Sequence, residues 1–472
     1  MSLKNKNLKT IIYGAGNAGK QVCNLILDNN NPNILCFIDD NPKKFGKIYR
    51  GIKIYNKKYL YKFKNLDNDI TIIIAIPSLK NIKLKKLFKF LYSITSNVLN
   101  LPLKSEFNSD KITLSDLQRS ELIHIFKRKE NKKKKINLNQ FRNKVALVTG
   151  GGGSIGSELT LQLSKYPFKK IYCLDNSELA LFKLKINLDK QIIKKITFIL
   201  GSINDLFLIE NIIIKKKIDF IFHTAAYKHL NFLENNPIQA VKNNILGTLN
   251  LLEKSIKSNR KIKFINISTD KAVKPISVLG FTKRISEIIC SSLGRSKSFN
   301  TSISTVRFGN VFGSDGSVVN IFIDKINNNQ IVPITDKKAE RFFMSIAEAC
   351  NLIISASLLK KNGSTYIFNM GKPVKILDLY KKIFFIKKFK DKNLKMKIKF
   401  IGLQKGEKLK EKLLLKKKMN KTKIQDVYEV FDPIYSRSSV IQIIDNIKKK
   451  INTSAESRII EDIKIFLKNE IN

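Results

Sequence analysis

Apolar and polar positions along the chain repeat one order of elements twice. Near the N-terminus the apolar run "TIIY" precedes a glycine-rich turn, a helical stretch and a second apolar run, "ILCFI", which leads into Asp39. From Val145 the same order returns, and its second strand ends at Asp175. Strands that alternate with helices in this way are typical of parallel α/β units. The pattern therefore predicts an α/β protein with two Rossmann-like, doubly wound parallel sheets.

The 472 residues are long enough for two such cores. We predict an N-terminal Rossmann-like domain in residues 1–107, a charged linker in 108–140 and a second domain in 141–472. No apolar run approaches the ~20 residues that cross a bilayer. The N-terminus also lacks the pattern of a signal peptide, so a cytoplasmic location is expected.

The composition is strongly basic, with a formal net charge of +50. Lysines are spread along the whole chain beside frequent Asn and Ile, which favours AT-rich codon usage over nucleic-acid binding. The densest basic run, Lys127–Lys135, is a candidate for peripheral contact with an anionic membrane surface. Five scattered cysteines and three histidines indicate reduced thiols and no metal site.

The first glycine-rich turn reads Gly14-x-Gly16-x-x-Gly19. It lies between a strand and a helix, and Asp39 follows Gly19 by 20 residues, as in a Rossmann phosphate-binding turn. A working nucleotide site and a domain kept for assembly or regulation both fit these residues. The ligand of the first domain is therefore left open.

The second turn has the TGxxGxxG spacing of short-chain dehydrogenase/reductase enzymes, in which backbone N–H groups at a helix N-terminus hold a phosphate. Asp175, 19 residues past Gly156, can bind both ribose hydroxyls and would repel a 2′-phosphate, which predicts NAD as cofactor. Capping of the next helix is the alternative role for Asp175. The predicted cofactor-binding residues are Gly150, Gly153, Ser154, Ile155, Gly156, Asp175, Ala225, Ala226 and Lys283.

Seven segments in order resemble the bacterial polysaccharide-biosynthesis nucleotide-sugar 4,6-dehydratases. They are "VTGGGGSIGSEL", "HTAAYKH", "NNPIQAVKNNILGTLN", "STDKAVKPISVLGFTKR", "VRFGNVFGSDGSVV", "ERFFMSIAEAC" and "QKGEKLKEKL". The N-terminal domain also resembles the Rossmann-like domain that precedes the catalytic one in the larger members of that family. In those members several transmembrane helices usually come before it. The resemblance implies an extended short-chain dehydrogenase/reductase fold with a substrate-binding part mainly in 305–420. It also implies a UDP-sugar substrate such as UDP-N-acetylglucosamine, tightly bound NAD and a homo-oligomer.

Leu279 stands where such enzymes usually carry a Tyr and the larger members commonly carry Met. The resemblance therefore places the proton chemistry on other residues. Asp270 is implied as the acid at the C6 oxygen and Lys271 as the base at C5. Thr269 would bond the C4 oxygen, and Lys283 would hold the nicotinamide ribose. Without the resemblance, "STDK" also fits a polar turn in which Asp270 caps a helix.

The resemblance further implies substrate contacts, with Arg341 facing the diphosphate. The sequence departs from the family at Ser202, where an Asp usually meets the adenine, and at Lys410, where an aromatic residue is usual. A nucleotide-sugar epimerase on the same fold and a non-catalytic NAD-binding relative are the alternative readings. The predicted substrate-binding residues are Lys228, Arg307, Asn310, Arg341 and Glu407, and Glu411 lies in the same closing motif as Glu407.

Overall fold

A computed structural model gives the fold of this protein. It describes residues 9–28, 33–63, 70–76, 79, 86–88, 90–91, 93–95, 97–100, 138–296, 298–314, 316–390, 394–415 and 418–468. The basic run 127–135 and the predicted linker, up to residue 137, lie outside these residues. The chain divides into two compact units. Unit 1 comprises 1–133, 316–333 and 377–399, and unit 2 comprises 134–315, 334–376 and 400–472.

Unit 1 contains a six-stranded sheet in the order β3-β4-β2-β1-β5-β6. All its strand pairs are parallel except β3 with β4. The apolar runs supply strands that are buried along most of their length, as expected where helices cover a parallel sheet. Its first elements are β1 (Lys9–Tyr13), α1 (Asn17–Asp28), β2 (Ile34–Ile38), β3 (Ile48–Tyr49), β4 (Ile52–Tyr55), β5 (Ile70–Ile74) and β6 (Asn97–Asn100).

Unit 2 begins with the strands and helices that carry the second glycine-rich turn. A π-helical turn, Val241–Leu246, directly precedes the helix α8 (Gly247–Lys257). The elements are β7 (Val145–Thr149), α2 (Ser154–Leu163), β8 (Lys170–Asp175), α3 (Glu178–Ile186), α4 (Lys190–Ile193), β9 (Ile196–Leu200), α5 (Leu206–Lys215), β10 (Phe220–His223), α6 (Leu230–Asn235), α7 (Pro237–Ala240), α8 (Gly247–Lys257), β11 (Lys263–Thr269), α9 (Val278–Arg295), β12 (Ser302–Phe308) and β13 (Asn310–Phe312).

The remaining elements continue to the C-terminus. Among them, β20 and β21 join the edge of the large sheet, and β21 lies beyond the segment 305–420 expected for substrate binding. They are α10 (Val318–Asn327), β14 (Val332–Ile334), β15 (Glu340–Arg341), β16 (Phe343–Ser345), α11 (Ile346–Ala356), β17 (Ser364–Phe368), β18 (Val374–Lys375), α12 (Ile376–Lys390), β19 (Ile398–Phe400), β20 (Met419–Lys421), β21 (Val427–Val430), α13 (Arg437–Lys450) and α14 (Ile459–Lys468).

The large sheet of unit 2 runs in the order β9-β8-β7-β10-β11-β12-β17-β21-β20. In this order the first seven strands, from β9 to β17, are parallel to one another. Strand β21 pairs antiparallel with β17. This is the Rossmann order, in which the first strand of the unit lies beside the crossover point. The predicted α/β class with Rossmann-like sheets is confirmed.

Alternate residues of these strands pack on opposite faces of the sheet. In β10, Phe220 and Phe222 join the apolar cluster under α2 and α11, whereas Ile221 joins the cluster under α5, α8 and α9. The C-terminal helices α13 and α14 complete the second cluster through Ile443 and Ile463. None of the helices in the described part of the chain is long and apolar enough to cross a membrane.

Candidate functional site

Close backbone packing in the second glycine-rich turn requires its glycines. Gly150 has a φ of +66°, and a Cβ there would lie 2.6 Å from the Cα of Ala225. A Cβ on Gly156 would lie 2.1 Å from the carbonyl oxygen of Gly150. Gly153 begins α2 without a side-chain hydrogen bond to the helix. As a glycine, Gly153 has no side chain that could cap the first turn of α2.

Asp175 ties the end of β8 to this turn. Its Oδ2 accepts the Gly152 N–H at 2.9 Å, and its Oδ1 accepts the Ser177 N–H at 2.9 Å. The next helix is capped by Ser177, whose Oγ accepts the Ala180 N–H. The capping alternative for Asp175 is therefore wrong. Each carboxylate oxygen has a further lone pair, so a ribose hydroxyl can also be accommodated.

The segment after β10 passes beside the glycine turn. Ala225 and Ala226 are half-buried, and Lys228 is exposed. The fully buried Asn244 fixes this segment, because its Oδ1 accepts the Tyr227 N–H at 2.9 Å and its Nδ2 donates to the Tyr227 carbonyl at 3.1 Å. Asn244 lies in the π-helical turn, and no sequence motif indicates its role.

The segment Thr269–Lys271 lies where β11 ends and a short 3-10 turn begins. Thr269 is the cap of this turn and donates its hydroxyl to Asp270 Oδ1 at 3.0 Å. Lys271 Nζ lies 3.0 Å from the same Oδ1. Asp270 is fully buried, and the Lys271 side chain is 16% exposed. The alternative in which Asp270 caps a helix is not observed, and the three residues form one hydrogen-bonded group.

Three further side chains complete this group. Lys271 Nζ donates to Asn310 Oδ1 at 3.2 Å and lies 3.8 Å from Glu411 Oε1. The other oxygen of Glu411 lies 3.5 Å from Lys408 Nζ, which donates to the Val273 carbonyl at 2.8 Å. No pattern in the sequence assigns a role to Lys408. Only the nearby closing motif, which contains Glu411, could have pointed to it.

One carboxylate oxygen of this group, Asp270 Oδ2, is buried and has no hydrogen-bond donor among the described residues. A Cβ on Gly309 would lie 3.0 Å from Asp270 Oδ2, so this oxygen lies directly against that glycine. A buried acceptor without a donor costs stability. Such a cost is typical of sites whose partner arrives with a ligand.

Lys283 lies on α9 and is almost fully buried. Burial lowers its pKa to about 8, although Cys290 and Glu287 oppose that effect. Burial and the charge of Lys283 also hold the pKa of His223 well below its ordinary value. Both ring nitrogens of His223 are occupied, by Thr149 at 2.8 Å and Thr248 at 2.9 Å. His223 is thus a core residue, and Lys283 is the titratable group of this pair.

Leu279, at the position of the usual Tyr, is buried in an apolar cluster with Leu233, Ala240 and Val278. Helix α9 begins beside it, where Ser277 Oγ accepts the Gly280 N–H at 3.0 Å. The environment of Leu279 is therefore suited to an apolar side chain. This explains how a residue that cannot titrate is accommodated there.

Arg307 does not have the environment expected of a sugar contact. Its Nε and Nη2 donate to Glu287 at 2.9 and 2.6 Å, and Nη2 also reaches Asp432. Its Nη1 donates to the Leu413 carbonyl at 3.2 Å. The side chain is fully buried, and every guanidinium nitrogen has a protein acceptor. We therefore leave Arg307 out of the proposed sugar contacts.

Arg341 and Glu407 form an ion pair, in which Arg341 Nη2 lies 2.6 Å from Glu407 Oε1. Arg341 Nη1 also donates to the carbonyls of Glu340 and Leu409. A diphosphate would have to share Arg341 with Glu407. The role of Arg341 toward a diphosphate stays a prediction.

A family model described as polysaccharide biosynthesis protein matches residues 146–432. CapD, a capsular polysaccharide biosynthesis protein of Staphylococcus aureus, is 34% identical over 429 residues, which are 89% of this chain and 70% of CapD. The chain belongs to this polysaccharide-biosynthesis family of nucleotide-sugar dehydratases and epimerases. The resemblance seen in its seven motifs is confirmed.

Two further proteins and a second family model are also similar to this chain. The X-ray structure of Pen from Bacillus thuringiensis is 31% identical with a TM-score of 0.57, and covers 63% of this chain and 92% of Pen. A UDP-glucose 4-epimerase of Rickettsia canadensis is 31% identical, over 61% of this chain and 83% of that enzyme. A second family model, described as C2185-like, N-terminal, matches residues 6–92.

Proposed function

We propose that this family member is a nucleotide-sugar 4,6-dehydratase that acts on UDP-N-acetylglucosamine or a related UDP-HexNAc with NAD as cofactor. The observation that carries the proposal is the buried pair of Asp270 and Lys271, with Thr269, at the carboxyl end of β11. Ligands of open α/β sheets bind at that edge. A carboxyl and an amine 3.0 Å apart supply the acid and the base that an elimination needs.

The residues around the second glycine-rich turn fit a dinucleotide. Gly153 leaves the start of α2 without a side-chain cap, so backbone N–H groups can receive a phosphate. Asp175 retains lone pairs for the ribose, and Lys283 would hold the nicotinamide ribose. When bound, NAD would supply the hydride acceptor at C4 and the hydride donor at C6.

The chain's own residues account for the proton transfers at C5 and C6. Thr269 would hydrogen-bond the C4 oxygen, and the C4 ketone would acidify the neighbouring C5 proton. Lys271 would remove that proton, and Asp270 would protonate the C6 hydroxyl as it leaves. Return of the hydride to C6 and of the proton from Lys271 to C5 would then give a 4-keto-6-deoxy sugar nucleotide, with one water lost. Burial of Asp270 excludes water, which strengthens these interactions.

The experiment is incubation of the full chain with UDP-N-acetylglucosamine and NAD, followed by mass spectrometry and proton NMR. We expect the loss of one water and a new C6 methyl signal. An unchanged mass with a new anomeric pattern would instead identify an epimerase, the activity named for the Rickettsia relative. Bound NAD without turnover on any UDP-HexNAc would overturn the proposal in favour of a non-catalytic relative.

Substitution of the acid–base pair tests the assigned roles. Asp270→Asn and Lys271→Ala should each lower turnover by about 100-fold or more, because general acid–base catalysis contributes that much. NAD binding should stay unchanged in both variants. Asp189→Asn, at an exposed helix start where the side chain makes no cap bond, is the matched control and should retain full activity. Retained activity in Asp270→Asn would contradict the assignment.

A further inference from the structure

Four charged side chains alternate in sign at the candidate site. Asp270 contacts Lys271 at 3.0 Å, Lys271 lies 3.8 Å from Glu411, and Glu411 lies 3.5 Å from Lys408. Asp270 comes from the end of β11, whereas Lys408 and Glu411 come from the loop that follows β19. The four formal charges sum to zero. Among the described residues, the uncharged Asn310 is a further hydrogen-bond partner of the Lys271 ammonium.

Burial makes this arrangement sensitive to each charge. The side chains of Asp270 and Glu411 are at most 3% exposed, and those of Lys271 and Lys408 are each 16% exposed. Charges in such surroundings interact more strongly than at a surface, because water screens them less. Burial lowers the pKa of Lys408 below its ordinary value, and the charge of Lys271 acts in the same direction, although Glu411 and Asp270 oppose it.

We infer that Lys408 and Glu411 are positioning residues that hold Lys271 beside Asp270 and set the balance between its charged and neutral forms. Glu411 attracts the Lys271 ammonium and stabilises the charged form. Lys408 neutralises Glu411 and thereby weakens that attraction. Lys408 is itself anchored by the Val273 carbonyl at 2.8 Å, in the segment that follows the catalytic turn. The consequence for elimination rests on the proposed function, in which Lys271 must be neutral to take the C5 proton.

The two residues should therefore act in opposite directions on Lys271. In Glu411→Gln the carboxylate is gone, so Lys271 loses its proton at a lower pH. In Lys408→Met the cation is gone and Glu411 is no longer neutralised, so Lys271 keeps its proton to a higher pH. We expect each shift to be about 1 pH unit, the size usual for one close charge.

The test uses competitive acetylation of the full chain with trace acetic anhydride, because only the neutral amine reacts. Mass spectrometry of the peptide that contains Lys271 gives its reactivity against pH, without substrate or cofactor. The pH profile of turnover is measured in parallel. Lys405→Met is the matched control, since Lys405 lies in the same loop and its side chain is 80% exposed. Glu411→Asp keeps the charge, so it should keep the wild-type pH dependence. If Glu411→Gln fails to fold, Lys408→Met carries the test, and the absence of its upward shift overturns the inference.

Opposite shifts of Lys271 reactivity in the two variants would support the inference. No shift, or shifts in the same direction, would overturn it, even if the wild-type enzyme forms the keto sugar. If the reactivity shifts as expected but no substrate is dehydrated, the inference about Lys271 stands and the proposed function fails. The two failures are thus distinguishable.

Discussion

The two glycine-rich turns hold the acid that follows them in the same way, although their glycine spacing differs. In unit 1, Asp39 Oδ2 accepts the Ala15 N–H at 2.7 Å and Oδ1 accepts the Asn41 N–H at 2.9 Å. In unit 2, Asp175 makes the same two kinds of bond, to Gly152 and Ser177. In both turns the last glycine packs on the carbonyl oxygen of the first, where a Cβ would lie 1.8 or 2.1 Å away. The backbone geometry of the two turns therefore does not show which unit binds a nucleotide.

The difference lies in the further partner of the carboxylate. Lys44 Nζ lies 2.9 Å from Asp39 Oδ2, whereas Asp175 has only backbone donors among the described residues. An acid that is already neutralised by a lysine is a poorer acceptor for ribose hydroxyls. A glycine-rich turn followed by an acid thus indicates the fold. We expect the partners of the acid, such as Lys44 beside Asp39, to decide whether that turn binds a nucleotide.

The strongest test of this comparison is to remove each acid in turn. Asp175→Ala should weaken NAD binding by about 10- to 100-fold, because hydrogen bonds to a charged group are lost. Asp39→Ala should leave NAD binding unchanged. Isothermal titration calorimetry of the full chain measures both. If Asp39→Ala weakens NAD binding instead, unit 1 holds the cofactor and the comparison is reversed.

A smaller effect concerns the stability of unit 1 at acidic pH, which depends on Asp39. Burial alone raises the pKa of Asp39, but the bonds from Lys44, Asn41 and Ala15 outweigh it and leave the pKa below its ordinary value. A depressed folded-state pKa stabilises the protein above the unfolded value, and this stabilisation is lost as the pH falls through the folded value. In Lys44→Met the folded pKa should rise, so unit 1 should begin to open at a pH higher by roughly half a unit.

Hydrogen exchange of residues 9–28, followed by mass spectrometry across an acid titration, measures this opening. Lys43→Met is the matched control, because Lys43 is exposed and its recorded hydrogen bond comes from its backbone N–H. Peptides of unit 2 should respond equally in both variants and in the wild type. An unchanged opening pH in Lys44→Met would show that the ion pair with Asp39 contributes nothing to unit 1.

The sequence predicted what local spacing determines and missed what depends on distant contacts. The glycine turns and the Thr269–Lys271 group follow from residues within one strand and one turn, and the structure places them as expected. Lys408 is held at the site by the hydrogen bond from its Nζ to the carbonyl of Val273, a residue 135 positions earlier in the chain. The pattern of apolar and polar residues cannot predict such a contact. The environment of Arg307 could have been predicted. Its neighbours in β12, Val306 and Phe308, pack under α2 and α11, so its own side chain points to the opposite face.

The smallest expected effect concerns Leu279, which a comparison of motifs alone would treat as a defect of unit 2. If the chemistry rests on Asp270 and Lys271, an apolar residue of similar volume at 279 should serve equally well. Leu279→Met should cost less than about 1.5 kcal/mol of stability and change turnover by less than about twofold. Leu233→Met, in the same apolar cluster, is the control for packing alone. Thermal unfolding and the product assay measure the two quantities. A loss of turnover in Leu279→Met that Leu233→Met does not share would mean that position 279 touches the substrate. The active residues of unit 2 would then extend beyond its acid–base pair.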